Sequence, residues 1–173
     1  MYFQSLLMKE DLNKNPSEVK QDLEDLQFQL FRMQDNIKEI SKKHQIIGID
    51  QSKEEKWVIV SAFDDGNRCQ IMVNDCDTAY RGNWDFSLQA QYKDEDNAIH
   101  IGDIKGPANQ GYGSICMNHL KEIAREQNIP VITGDIAKRD WDHVDRLVYF
   151  YEKHDFEVEI DPTTKSGEII WKD

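Results

Sequence analysis

At 173 residues and 39% hydrophobic, the chain is long enough for one domain with a sizeable core. Its formal charge of −12, from 33 acidic and 21 basic residues, repels phosphate backbones and argues against nucleic-acid binding; it weakly favours a cationic small molecule such as an amine. No run of 18 apolar residues occurs, so no membrane span is expected, and Leu6, Leu7 and Met8 are too short a run for a signal peptide.

The first five residues, MYFQS, resemble an expression scar ending in a protease-site remnant, and 1–7 are set aside as tag remnant or disordered. The segment 16–44 predicts one long helix. Val19, Leu23, Leu26, Leu30, Met33, Ile37 and Ile40 recur at alternating spacings of four and three, a heptad seam held over three heptads. Pro16 suits the first turn, with Asn15 or Ser17 as cap. Phe28 and Phe31 lie off the seam and are expected to widen the apolar stripe. Residues 8–44 thus read as a coiled-coil-like helix. It either pairs with the same helix of another chain, giving a homo-oligomer, or folds back on its own domain; the strict register favours the first.

Past His44 the period changes, and 45–173 reads as a second unit. IIGID (46–50), KWVIVSAF (56–63) and RCQIMV (68–73) predict strands, the last two joined by a hairpin turn at DDGN (64–67). Residues 74–83 are irregular. DFSLQAQY (85–92) alternates as a half-buried strand does, KDEDN (93–97) turns the chain, and AIHIGDIK (98–105) is the next strand. A glycine loop and a helix to about 127 follow. IPVITGDIA (129–137) predicts a strand, and 140–154 a helix with Asp140 or Asp142 near its start. FEVEID (156–161) and GEIIWK (167–172) close the chain as an antiparallel pair. Cys69, Cys76 and Cys116 have no metal-ligand spacing and read as buried, reduced thiols of a cytoplasmic protein. No metal site is expected.

The loop PANQGYGS (107–114) joins a strand to a helix. A helix start leaves backbone N–H groups without partners, and the macrodipole adds positive charge there. Glycines permit positive φ and close approach of a ligand. Asn109, Gln110, Gly111, Tyr112, Gly113 and Ser114 are therefore candidate donors to an anion such as a diphosphate. The loop lacks the Lys-Ser/Thr of an ATP-binding P-loop. It also lacks the third glycine of a dinucleotide fold.

This region resembles the GNAT superfamily of acetyl-CoA-dependent N-acetyltransferases. Its signature, Q/R-x-x-G-x-G/A between a strand and a helix, is matched by Gly111-Tyr112-Gly113, with Ala108 at the leading position. Its aromatic-Tyr-Glu-Lys run before Gly-Phe is matched by Phe150-Tyr151-Glu152-Lys153, then Asp155-Phe156 with Asp155 in place of glycine. Val144 stands where the family often has Asn. The resemblance implies an α+β fold with a mixed, mostly antiparallel central sheet flanked by helices, here preceded by the long heptad helix. It also implies direct transfer of an acetyl group from acetyl-CoA to a small-molecule or peptide amine. An alternative is a non-catalytic acyl-CoA-binding or partner-tethering module on the same fold.

By the same resemblance Tyr151 is the general acid for the leaving thiolate. Its ordinary pKa of about 10 lies near that of an alkyl thiol. Strand backbone at 101–104, with Asp103 and Ile104 as cofactor-binding positions, would hold the pantetheine and the oxyanion, helped by a bulge at Gly102. Lys153 would reach the phosphates. The base is left open. Asp103 is expected to share a face with Ile99 and Ile101, where an isolated carboxylate would have a raised pKa, or to pair with a core Arg or His; Glu95 and Asp96 would act through water. The acceptor pocket is expected among 63–92, near Tyr80, Arg81 and Trp84.

Overall fold

The computed structural model describes residues 14–173, so the expected tag remnant and the start of the helical segment lie outside the described residues. Helix α1, Pro16–Ser41, opens on a capping box. Asn15 accepts the Glu18 amide at 3.0 Å and the Glu18 carboxylate accepts the Asn15 amide at 3.0 Å. Eight strands follow: β1 (Gln45–Gln51), β2 (Trp57–Asp64), β3 (Arg68–Asp75), β4 (Phe86–Lys93), β5 (Ala98–Lys105), β6 (Val131–Ile136), β7 (Glu157–Asp161) and β8 (Ser166–Lys172). Helix α2 (Tyr112–Glu126) lies between β5 and β6, and α3 (Val144–Lys153) between β6 and β7. The strands form one sheet in the order β1-β2-β3-β4-β5-β6-β8-β7, antiparallel except for the β5–β6 pair. This is the mixed, mostly antiparallel sheet expected. The last hairpin enters it reversed, so that β8 pairs with β6 and β7 takes the edge.

Successive strand residues point to opposite faces, and β2 shows what each face meets. Val58 and Val60 join the main core, where Cys116, Met117, Leu120 and Ala124 of α2 pack on the sheet with Tyr151 of α3. Between them Ile59 faces the other way and packs with Ile40 of α1 and Cys76. Only Asn36 and Ile40 of α1 are buried. The Asn36 side chain donates to the Thr78 carbonyl at 2.9 Å and accepts the Tyr80 amide at 2.8 Å, which fastens the irregular segment to the helix. Phe28 and Phe31 do not widen the seam; they are 73% and 64% exposed, and at about 100° per residue Phe28 falls opposite it. All three cysteines are buried, and burial pushes their thiols up to about 11 or 12, so they stay protonated.

Two departures from regular pairing shape the middle of the sheet. Gln89 pairs with Asp103 and Ala90 with Ile101, so Gly102 is the extra residue of a bulge. The parallel pairing of β5 with β6 ends at Ile101 and Gly134, so residues 102–105 leave the edge toward β6 open. The chain then turns at Gly106, whose φ is +141°. A Cβ there would lie 2.4 Å from Cδ2 of Phe86 and 2.9 Å from the Asp85 carbonyl oxygen. Gly106→Ala combines backbone strain with a core clash. It should cost about 3 kcal/mol in unfolding free energy, read from the urea midpoint at constant m-value.

Candidate active site

The parted strands open a cleft of about 600 Å³ between β5, the 106–111 loop, the start of α2 and α3. The catalytic and cofactor-binding candidates read from the sequence line it: Asp103, Ile104, Asn109, Gln110, Gly111, Tyr112, Gly113, Ser114, Tyr151 and Lys153. The cleft takes residues from both faces of the sheet. Ile101, Ile136 and Tyr151 come from the helix-covered face, Asp103 and Asp135 from the other.

At the loop, Asn109 and Gly111 have φ of +63° and +80°, and Gly111 caps α2 without any side-chain hydrogen bond. The first backbone bond of the helix runs from Ile115 to the Gly111 carbonyl at 3.2 Å. The amides of Tyr112, Gly113 and Ser114 therefore have no acceptor among the described residues, and they lie at the positive end of the helix dipole. The loop is held from outside by the Lys53 amide, which donates to the Gln110 carbonyl at 2.9 Å. Gly113 has a packing reason as well, since a Cβ there would lie 3.1 Å from Phe150. The Tyr112 ring turns inward, edge-on to Phe86 at 6.1 Å. The Ser114 hydroxyl is bonded to Nε2 of His154 at 2.9 Å, leaving its amide for a ligand.

Tyr151 is 6% exposed, and its hydroxyl has no hydrogen-bond partner among the described residues. Burial, with a smaller contribution from Asp140, pushes it up to about 12. The near-match with an alkyl thiol expected from a free phenol is thus displaced. Tyr151 is therefore protonated throughout the physiological range. After Tyr151 the helix ends in an Asp155 with φ of +62°, so the aspartate takes the left-handed turn a glycine would.

Asp103 is not the isolated carboxylate on an apolar face that the alternation implied. The Gly102 bulge shifts the pleat, sets Asp103 opposite Gln89, and leaves it 2.9 Å from Nζ of Lys105. The core Arg or His partner considered for it is therefore a neighbouring lysine on the strand. Glu95 and Asp96 do not line the cleft, and neither do Tyr80, Arg81 and Trp84. Residues of 63–92 do line a smaller cavity of about 140 Å³ beside Gly102, with Phe63, Gln70 and Gln89 in its wall. Asp140 accepts the Ala137 amide at 3.1 Å and lies 3.8 Å from Nε of Arg139.

Sequence reasoning found Lys153 but missed Asp135 and the other basic residues of the cleft. Asp135 lines the cleft with Oδ2 at 3.3 Å from Nε2 of His100, whose Nδ1 is 2.9 Å from the Thr133 hydroxyl. These residues alternate on β6, but only the parallel register reveals that His100 stands beside them. Lys53, Arg139, Arg146 and Lys153 all line the cleft in an otherwise acidic chain. Arg146, Tyr149, Phe150 and Lys153 recur at i, i+3, i+4 and i+7 on α3, a stripe that was readable in advance. Among the described residues no group of three or more His, Cys, Asp or Glu forms a metal cluster, and no helix is long and apolar enough to cross a membrane.

No family model matches the chain. It is 62% identical over 160 residues to the uncharacterized protein YocC of Bacillus subtilis strain 168, an alignment covering 92% of this chain and 96% of that protein. Among solved structures, the GNAT domain of PAT from S. lividans superposes with a TM-score of 0.58 at 6% identity, over 72% of this chain and 96% of that one. A Bacillus anthracis protein in complex with acetyl coenzyme A gives a TM-score of 0.47 at 15% identity, over 74% and 81%.

The buried His154 supplies a pH test of the site's framework. Burial, then Lys121 and Lys153, lowers it from 6.5 to about 4. The unfolded chain binds this proton more readily, so stability is whole above pH 6.5 and falls as pH drops toward 4. Over that window the wild type should lose roughly 2 kcal/mol more than His154→Gln, by urea unfolding at each pH.

Proposed function

The chain belongs to one family with YocC of Bacillus subtilis and carries the fold of the GNAT acetyltransferases, and we propose from this that it is an acetyl-CoA-dependent N-acetyltransferase. The observation that carries the reading is the open strand edge at 102–105 leading to three unpartnered amides at the start of α2, with an unbonded tyrosine hydroxyl facing the same cleft.

In this reading the amides of Tyr112, Gly113 and Ser114 hold the diphosphate, with Asn109 and Gln110 beside them. Lys53, Arg139, Arg146 and Lys153 answer the remaining phosphate charge. Backbone at Gly102, Asp103 and Ile104 orients the thioester and stabilises the oxyanion. A cationic amine reaches the cleft from the face of Asp103 and Asp135, past the small cavity walled by Gln70 and Gln89. Asp135 accepts its proton, and His100 with Thr133 carries that proton to solvent. The amine nitrogen bonds to the acetyl carbon and sheds its second proton to solvent, the carbon–sulfur bond breaks, and Tyr151 gives its proton to sulfur and regains one from solvent. Acid and base thus stand on opposite faces of the sheet. Residues 45–173 form the acetyltransferase unit, and α1 before it is an assembly helix. Three buried, unpaired thiols suit a cytoplasmic protein.

Two measurements test the reading. Acetyl-CoA should raise the thermal midpoint of the wild type, and exchanging Lys53 and Lys153 together for Met should weaken its affinity about tenfold. No thermal shift at millimolar ligand would remove the reading. In a screen of amines, Tyr151→Phe and Asp135→Asn should each lower kcat by about 100-fold with acetyl-CoA affinity unchanged. Binding without any turnover in the wild type would favour the non-catalytic module instead.

A further inference from the structure

Helix α1 uses its apolar seam at one end only. Met33, Ile37 and Ile40 pack on the sheet with Ile46, Ile59 and Tyr80. Val19, Leu23, Leu26 and Leu30 continue the same line and are 39%, 57%, 57% and 52% exposed. Four large apolar side chains in consecutive seam positions are not a scatter of single surface hydrophobes.

The geometry points to a second copy of this chain as what covers them, its α1 lying antiparallel about a two-fold axis between Glu24 and Asp25. In that arrangement Val19 faces the partner's Leu30, and Leu23 faces the partner's Leu26. The two-fold repeats both contacts, so the bare seam residues form a closed set of four layers with none left over. Their mutual fit comes from the spacing itself, because both pairs share one centre. The flanks agree. Lys20 faces the partner's Gln27 and Asp22 faces the partner's Gln29, so no like charges meet.

A parallel pair would carry the partner helix along the seam through Met33, Ile37 and Ile40, which each chain's own sheet already covers. The antiparallel pair avoids this: the partner's Met33 comes level with Pro16 at the helix start, and the partner's Ile37 and the partner's Ile40 lie past the Asn15 cap. The two-fold also closes the assembly at two chains. Phe28 and Phe31 stay outside the pair, on the back and flank of the helix. The inference rests on helix geometry alone and stands whether or not the chain transfers acetyl groups.

Sedimentation of the full chain across a concentration series tests it. The wild type should reach the mass of a dimer, and Leu23→Asp combined with Leu26→Asp should raise the dissociation constant at least about 100-fold. Near-UV circular dichroism should be unchanged, because neither residue touches the sheet. Orientation is read from cysteine pairs, the three native thiols being buried. Val19→Cys with Leu30→Cys should oxidise to a covalent dimer. Val19→Cys alone should not, since its two copies would lie about 16 Å apart along the helix axis. A monomer at all concentrations, an assembly larger than two, a dimer indifferent to the aspartates, or a covalent dimer from Val19→Cys alone would each overturn the proposal.

Discussion

The parting of β5 from β6 is the constraint on which the rest of the molecule depends. A continuous sheet would pair every backbone group at its centre and leave nothing for a ligand. Here β5 is held by β4 through to Lys105 and β6 is held by β8 through to Ile136, while their mutual pairing stops at Ile101 and Gly134. Each strand is thus anchored on its outer side and free on its inner one. The Gly102 bulge twists β5 at the point of divergence and turns Asp103 toward the face bearing His100. The cleft that results passes through the sheet, which is why it collects an acidic group from one side and a phenol from the other.

The electrostatics follow the same division. Arg139, Arg146 and Lys153 line the cleft with the start of α2, whereas Asp103 and Asp135 enter it from the sheet face opposite Tyr151. A chain of net charge −12 has no general attraction for a phosphorylated ligand, so the positive rim is a local concentration against the overall field. The loop is stiffened rather than left to the ligand. Lys53 of the β1–β2 turn grips Gln110, and Phe150 fills the space beside Gly113. Lys121, 7% exposed, closes the far end of α2 by donating to the His154 carbonyl and lying over the Trp171 ring at 5.5 Å.

Much of this was legible in the residues because it is local. The heptad line, the alternation of DFSLQAQY, the DDGN turn and the glycines at 111 and 113 each specify structure within a few positions. Asp155 could be read as a helix stop from its tolerance of positive φ alone. What could not be read was set by register between distant strands. One inserted residue at Gly102 reverses which side Asp103 occupies, and strand-pattern counting has no means of seeing it. The His100–Asp135 contact requires the parallel pairing of β5 with β6. The placing of β8 inside β7 depends on how the last hairpin folds back, not on its composition. The Tyr151 hydroxyl was identified by its place in a motif, but its shifted acidity arises from burial beneath residues far away in the chain.

At the outer margin of the sheet, β7 carries Glu157, Glu159 and Asp161 on alternate positions, all exposed. A second molecule offering the same margin would bring carboxylate rows into register and be repelled. Filament-like stacking of sheets is thereby discouraged at a strand that otherwise has unsatisfied main-chain groups along its length. The protein's stickiness is in this way displaced from ribbon to rod: what the margin refuses, the leucine row of α1 remains free to accept.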